Sequence, residues 1–214
     1  VNMKIKGVIF DLDGVLIHTD ELHYRAWKQI ADKIGVPFDR KINDGLRGVS
    51  RMESLEIILN GGGEKFSETE KQILAEEKNT IYRNYLSRLT EKDVSAETFA
   101  LLEGLRKMNL KLAVGSSSKN ARFILEQVGL LRLFDAVSDG NNISKSKPDP
   151  EVFLKAAEYL CLSPKECLVV EDAMSGIEAA KAGGFRSAGI GDAKTADADY
   201  HLENLSEIFA IVGR

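Results

Sequence analysis

Two carboxylates, Asp11 and Asp13, close an apolar run in the order Gly7-Val8-Ile9-Phe10-Asp11-Leu12-Asp13-Gly14. The run reads as a buried strand, and a period of two places both aspartates on one side of the extended chain with Leu12 on the other. Carboxylates this close repel each other and resist desolvation, so the pair calls for a cation or a shared proton, or else it is a solvated turn after an edge strand. Other polar groups stand at comparable places. Leu110–Val114 runs into Gly115-Ser116-Ser117-Ser118, Lys147-Pro148 follows the short strand Ala136–Ser138, and Leu168-Val169-Val170 ends in Glu171-Asp172. Asp11, Glu171 and Asp172 are hard oxygen ligands suited to a partly hydrated magnesium ion. Ser116 and the backbone N–H groups after it can cradle phosphate oxygens, with the charge of Lys147 beside them. On this reading Asp11 attacks phosphorus to form an aspartyl phosphate. Asp13 then donates a proton to the departing oxygen and later activates the acceptor, or it serves only as a second metal ligand. Taken singly, Ser116 is a turn residue, Lys147 a surface lysine and Glu171-Asp172 a helix-start pair favoured by the dipole. Their conjunction at strand ends carries the chemistry.

The elements that must position these groups follow from pattern. After the acidic loop, Thr19 or Asp20 caps a helix over Glu21–Ile34, stopped by Gly35 and Pro37. Capping boxes at Ser50-Arg51-Met52-Glu53 and Ser67-Glu68-Thr69-Glu70 open helices to Leu59 and to Leu89. No strand is expected between Glu21 and Leu89, which makes this stretch a helical insert. Helix and strand then alternate: helix Ala96–Met108, strand Leu110–Val114, helix Ala121–Val128 capped by Asn120, strand Ala136–Ser138, and a helix capped by Asp149 with Pro150 at its first position. The strand Leu168–Val170, the helix Ser175–Ala182, the strand Ser187–Ile190 and a helix over Leu205–Val212 complete the chain. Such alternation is the signature of an α/β fold with a doubly wound parallel sheet, whose ligands bind beyond the C-terminal strand ends. The expected organisation is a core of residues 1–18 and 92–214 and an all-helical unit of residues 19–91.

The 214 residues are 43% hydrophobic and 29% charged, enough for a packed core and a charged surface. A net charge of −4 with no basic stripe argues against nucleic-acid and anionic-membrane partners. No apolar stretch reaches the ~18 residues of a membrane span, and the first apolar run is too short for a signal peptide. Cys161 and Cys167 are the two cysteines, and both read as buried thiols in a reducing compartment, which gives a cytoplasmic assignment. The absence of a heptad pattern or an obvious apolar patch leads us to expect a monomer.

The segments Asp11-Leu12-Asp13-Gly14-Val15, Ser116, Lys147-Pro148 and Glu171-Asp172 resemble, in order and spacing, the haloacid dehalogenase superfamily of aspartate-nucleophile phosphotransferases. The second aspartate is similar to that of the phosphatase and mutase branches, and the helical insert looks like the superfamily's cap domain on a Rossmann-like core. Within the superfamily, the stretches from Asp20 to Trp27, from Arg47 to Leu55 and from Ser116 to Asn120 resemble the β-phosphoglucomutase family. That resemblance implies interconversion of β-D-glucose 1-phosphate and glucose 6-phosphate through a 1,6-bisphosphate, with hexose phosphate and hexose bisphosphate as partners. It implies Asp11 as nucleophile and Asp13 as acid/base. Magnesium would be held by Asp11, the Asp13 backbone carbonyl, Glu171 and Asp172. Arg51 would grip the non-transferring phosphate, and Ser116 and Lys147 the transferring one. Gly48, Val49 and Ser50 belong to the implied cap specificity loop, and Ser118, Lys119 and Asn120 to the implied phosphate-binding loop. Thr19, His23 and Lys78 match positions that link cap closure to placement of the acid/base. Trp27, also counted among the substrate-facing residues, reads more readily as core than as a sugar platform. His18 and His201 read as surface residues.

There are departures from the pattern. Ser95-Ala96-Glu97-Thr98 stands where relatives have Pro-Gly after the cap, Arg47 replaces a lysine, and Ala173 replaces a serine. The runner-up reading is a capped sugar-phosphate phosphatase of the same superfamily. A non-enzymatic sugar-phosphate sensor would need neither Asp11 nor Asp13. A phosphonate hydrolase with a Schiff-base Lys78 would need an apolar pocket to lower the amine's pKa, and no such pocket is evident in the sequence.

Overall fold

The computed structural model describes residues 4–63, 65–195 and 197–213, so the first three residues of the expected core and its last lie outside them. Among the described residues the sheet has six strands: β1 (Gly7–Phe10), β2 (Lys111–Gly115), β3 (Ala136–Ser138), β4 (Cys167–Glu171), β5 (Arg186–Gly189) and β6 (Tyr200–His201). Their order is β3-β2-β1-β4-β5-β6, with every neighbouring pair parallel. β1 takes a central place because Val8, Ile9 and Phe10 are apolar and fully buried, so both of its faces are covered. Phe10 pairs with Val114 on one side and Val170 on the other, which brings the ends of β1, β2 and β4 level. Chemistry-bearing residues just past those ends therefore share one rim.

Between β1 and α5 (Ala96–Lys107) lie α1 (Asp20–Lys33), α2 (Arg40–Asp44), α3 (Arg51–Leu59) and α4 (Glu68–Leu86), and no strand among the described residues. This helical cap has its own core, in which Trp27 and Ile30 of α1 meet Leu55 and Ile58 of α3 and Leu74 of α4. The remaining helices, α5 (Ala96–Lys107), α6 (Ala121–Gln127), α7 (Glu151–Leu160), α8 (Met174–Ala182) and α9 (Ile208–Val212), flank the sheet. Val8, Phe10 and Leu112 face Leu102 and Leu105 of α5 and Leu125 of α6. Ile9, Ala113 and Val169 face Phe153 of α7 and Ala179 of α8. The chain is an α/β protein with a Rossmann-like parallel core and an inserted helical cap. No helix among the described residues is long and apolar enough to cross a membrane.

Several sequence expectations need correction. Thr19 precedes α1 without capping it, because its hydroxyl bonds Asp13 instead. Asn120 makes no side-chain cap either, since its amide is taken up by Asn79 and Arg83 of α4. Pro150 occupies the cap position of α7 rather than the first helical one, although Asp149 still accepts the Glu151 N–H at 3.0 Å. α4 ends at Leu86, short of Leu89, and the final helix splits into a 3₁₀ turn over Leu205–Glu207 and α9. The short α2, capped by Asp39, and the two-residue β6 have too few residues for a readable period. Cys161 is exposed, because it ends α7 in a left-handed conformation (φ 55°) at the surface, whereas Cys167 is buried. At the return from the cap, Ser95 caps α5 by accepting the Thr98 N–H at 3.1 Å, so the missing Pro-Gly is replaced by a side-chain cap.

Candidate active site

The rim built by β1, β2 and β4 opens into a cavity of about 770 Å³ roofed by the cap. Asp11 follows β1 directly, its N–H bonded to the Val170 carbonyl at 2.9 Å. Leu12 is fully buried, so the expected alternation is realised and leaves Asp11 and Asp13 toward the cavity. Gly14 lets the loop close: its φ of +87° suits glycine, and a Cβ there would lie 2.0 Å from Asp172 Oδ2. Among the described residues, Asp11, Glu171 and Asp172 each offer a ligand atom within 4.8 Å of the others. All are buried, as hard-oxygen donors around a cation would be.

Lys147 lies behind the cavity wall rather than on it. Its Nζ donates to Asp11 Oδ1 at 2.5 Å and to Glu171 Oε2 at 2.7 Å, and the Lys147–Pro148 peptide is cis. Burial works against the ammonium, but Asp11 and Glu171 more than offset this and hold its pKa above the ordinary lysine value. Burial, then the charge of Glu171, push Asp11 up to about 7 despite Lys147. Burial and the charges of Asp11 and Glu171 push Asp172 up to about 9. Those rises mark a cluster with more negative charge than one lysine neutralises, which is the electrostatic condition for a divalent ion. Ala173 keeps one bond in this network through its N–H, given to Glu171 Oε1 at 3.0 Å.

Asp13 depends on the cap. Its Oδ1 accepts from Thr19, which in turn accepts from Tyr82 of α4 at 3.2 Å. His23 Nε2 lies 4.0 Å from Asp13 Oδ2, its ring stacks on Tyr82, and its Nδ1 is 2.9 Å from Lys78 Nζ. Burial, then the charges of Asp11 and Asp20, raise the Asp13 pKa well above the ordinary range, as suits a proton donor. Lys78 overturns the expectation that it lacks an apolar pocket. It is 3% exposed, with Nζ 4.9 Å from the Trp27 ring centroid and 4.4 Å from that of Tyr82. Burial, then repulsion by Arg51, lower its pKa to about 7. The sequence hid this because Lys78 sits in a charged stretch of α4, and although Tyr82 stands one turn along the same helix, Trp27 reaches it from α1.

Across the cavity, Gly48, Val49 and Ser50 form the loop into α3, Arg51 opens that helix, and Ser116, Ser118, Lys119 and Asn120 line the opposite wall. Gly48 has φ +74° and packs against the core, where a Cβ would come 2.7 Å from Ser175 Oγ. Arg51 is anchored by Glu76 at 3.1 Å. Trp27 also borders the cavity but is 2% exposed and belongs to the cap core. Thr19 is wholly buried and does not line it. The sequence reading missed Arg47 as a contact residue. It joins cap to core through Asp192 at 2.5 Å, beside Asp20 at 3.1 Å. Its partners lie far apart in sequence, so only its charge could have drawn notice.

A family model described as haloacid dehalogenase-like hydrolase matches residues 5–184. The chain belongs to this family. Among curated relatives it is 45% identical over 189 residues to the β-phosphoglucomutase of Bacillus subtilis, with 87% of this chain and 84% of that protein covered. It is 32% identical over 182 residues to a phosphorylated carbohydrates phosphatase of Thermotoga maritima, covering 85% and 82%. The solved structure of β-phosphoglucomutase from Clostridium difficile superposes with a TM-score of 0.92 at 37% identity, covering 98% of this chain and 96% of that one. The chain is thus a haloacid dehalogenase-type enzyme whose relatives include both mutases and phosphatases.

Proposed function

We propose that this enzyme is a phosphotransferase interconverting β-D-glucose 1-phosphate and glucose 6-phosphate through an aspartyl phosphate and a 1,6-bisphosphate. The observation that carries the proposal is one cap-covered cavity lined by Asp11, Asp13 and Ser116 from the core and by Arg51 from the cap, with buried Lys147 ion-paired to Asp11 behind its wall, which supports an anion grip at each end. A bisphosphate that must turn end for end needs a grip at each end, and the planar guanidinium of Arg51 binds phosphate oxygens in pairs. The core is residues 1–18 and 92–214, and the cap is residues 19–91.

In this mechanism an Asp11 carboxylate oxygen attacks phosphorus, and the bond from phosphorus to the sugar oxygen breaks. Asp13, placed by Thr19 and His23, gives its proton to that oxygen and later takes one from the incoming sugar hydroxyl. Lys147 and Ser116 hold the transferring phosphoryl group and Arg51 holds the other phosphate, with Ser118, Lys119 and Asn120 completing the substrate-binding wall beside Ser116. Gly48, Val49 and Ser50 bring the cap loop down on the sugar. Asp11, Glu171 and Asp172, with the Asp13 backbone carbonyl, would hold Mg²⁺, which when bound supplies charge neutralisation at the phosphate. Cap closure keeps water from the aspartyl phosphate.

The test is a magnesium-dependent assay on β-glucose 1-phosphate with a trace of 1,6-bisphosphate, following glucose 6-phosphate and free phosphate together. Glucose 6-phosphate with little phosphate release supports the mutase. Predominant phosphate release replaces it with the capped sugar-phosphate phosphatase.

A further inference from the structure

Helix α4 carries a polar stripe at Glu76, Asn79 and Arg83, spaced three and four residues apart and therefore on one face. The stripe lies between Arg51 of the cap and Asn120 at the start of α6 in the core. Glu76 Oε2 accepts from Arg51 Nη1 at 3.1 Å, and Glu76 Oε1 accepts from Asn79 Nδ2 at 3.2 Å. Asn79 Oδ1 accepts from Asn120 Nδ2 at 2.9 Å, and Asn120 Oδ1 accepts from Arg83 Nη1 at 3.0 Å. The Arg83 guanidinium also lies 4.2 Å from the ring centroid of Phe123, one turn further along α6. Both partners named for Arg83 thus belong to the core, although Arg83 itself is on the cap. Asn120 is 5% exposed and borders the cavity, and both ends of its amide are held from α4.

We propose that Arg83 is a positioning residue that latches the cap onto the core through Asn120, and that this latch sets how the aspartyl phosphate divides between sugar and water. The inference rests on the phosphotransfer reading above. The two fates differ only in the attacking oxygen. In transfer, a sugar hydroxyl oxygen bonds to phosphorus, the bond from phosphorus to Asp11 breaks, and the hydroxyl proton passes to Asp13. In hydrolysis, a water oxygen does the same, releasing inorganic phosphate and the free Asp11 carboxylate. A cap held shut favours the bound sugar, whereas a cap that opens before transfer admits water. Arg83 is well placed for this role because it bridges the rim without facing the reacting atoms.

The experiment compares wild type, Arg83→Met and Arg83→Lys. Methionine keeps much of the stem that packs near Phe123 but loses the donor, and lysine restores a donor. Products from β-glucose 1-phosphate are followed as glucose 6-phosphate and free phosphate, the aspartyl phosphate is formed separately with acetyl phosphate, and the radius of gyration of each free protein is measured by small-angle X-ray scattering. Loss of one partly exposed charged hydrogen bond is expected to raise the ratio of phosphate to glucose 6-phosphate roughly five- to tenfold in Arg83→Met. Acetyl phosphate labelling should stay near wild type, the radius of gyration should rise, and Arg83→Lys should return most of the partition. An unchanged ratio in Arg83→Met overturns the latch, as does a labelling loss equal to the turnover loss, which would mean general structural damage. If wild type itself yields only phosphate, the mutase reading fails. The latch then stands if the radius of gyration rises in Arg83→Met and falls if it does not.

Discussion

Replacing Lys78 by methionine should stabilise the protein while impairing it as an enzyme. Lys78 Nζ is buried against Trp27 and Tyr82, with His23 at 2.9 Å and the charge of Arg51 working against it. Its pKa falls from 10.5 to about 7, so at pH 7 the folded state has given up much of the protonation that the unfolded chain retains. At about 1.4 kcal/mol per pH unit, that difference bounds the cost of the buried amine at ~5 kcal/mol. Relaxation and cation–π contact recover part of it, leaving about 2 kcal/mol to be gained by a methionine of similar shape. For a chain of this size that gain raises Tm by roughly 4–8 °C. The sign with pH is definite. The folded pKa lies below the unfolded one, so between about pH 7 and about pH 10.5 the unfolded chain binds the extra proton, and the stability contribution of Lys78 rises with pH. The advantage of Lys78→Met should therefore shrink from pH 7 to pH 10. Calorimetric melting of both proteins across that range measures it. A variant less stable than wild type at pH 7, or a gap independent of pH, would falsify the assignment of Lys78 as a desolvated amine.

Asp11→Asn should abolish labelling by acetyl phosphate and lower turnover by about a thousandfold or more, read by intact mass and coupled assay; labelling that persists would mean another nucleophile. Arg51→Ala should raise KM for the bisphosphate by ~10- to 100-fold with acetyl phosphate labelling kept, because a charged grip on the distal phosphate is lost. Without metal, Asp11 and Asp172 hold protons that the unfolded chain has released, so stability falls as pH rises from about 4 toward 9; adding Mg²⁺ at ~100 times its Kd should give back about 3 kcal/mol at pH 7, and Asp172→Asn should remove most of that gain in a thermal melt. Asp192→Ala frees Arg47 from its shortest core partner and should speed cap opening with little change in Tm, measurable as faster hydrogen exchange over residues 44–50.

Much of this protein was legible in its chain order. Apolar runs ending in Asp11, Ser116 and Glu171, with helices between them, specify a parallel sheet whose polar ends converge, because buried strands must be apolar on both faces and parallel pairing through helical crossovers puts their C-terminal ends on one edge. The capping boxes at Ser50 and Ser67 announced α3 and α4, since those bonds are local. What the chain order could not decide is which distant side chains meet. Thr19 and Asn120 looked like helix caps, yet tertiary partners took their polar atoms, Asp13 in one case and Asn79 with Arg83 in the other. Lys78 looked like one charge on a polar helix; Tyr82 is its neighbour one turn along α4, but only packing of α1 against α4 brought Trp27 over it and buried the amine, which lowered its pKa. A capping bond depends on neighbours three residues away, whereas desolvation and charge depend on everything within a few ångströms, and that neighbourhood exists only once the chain has folded.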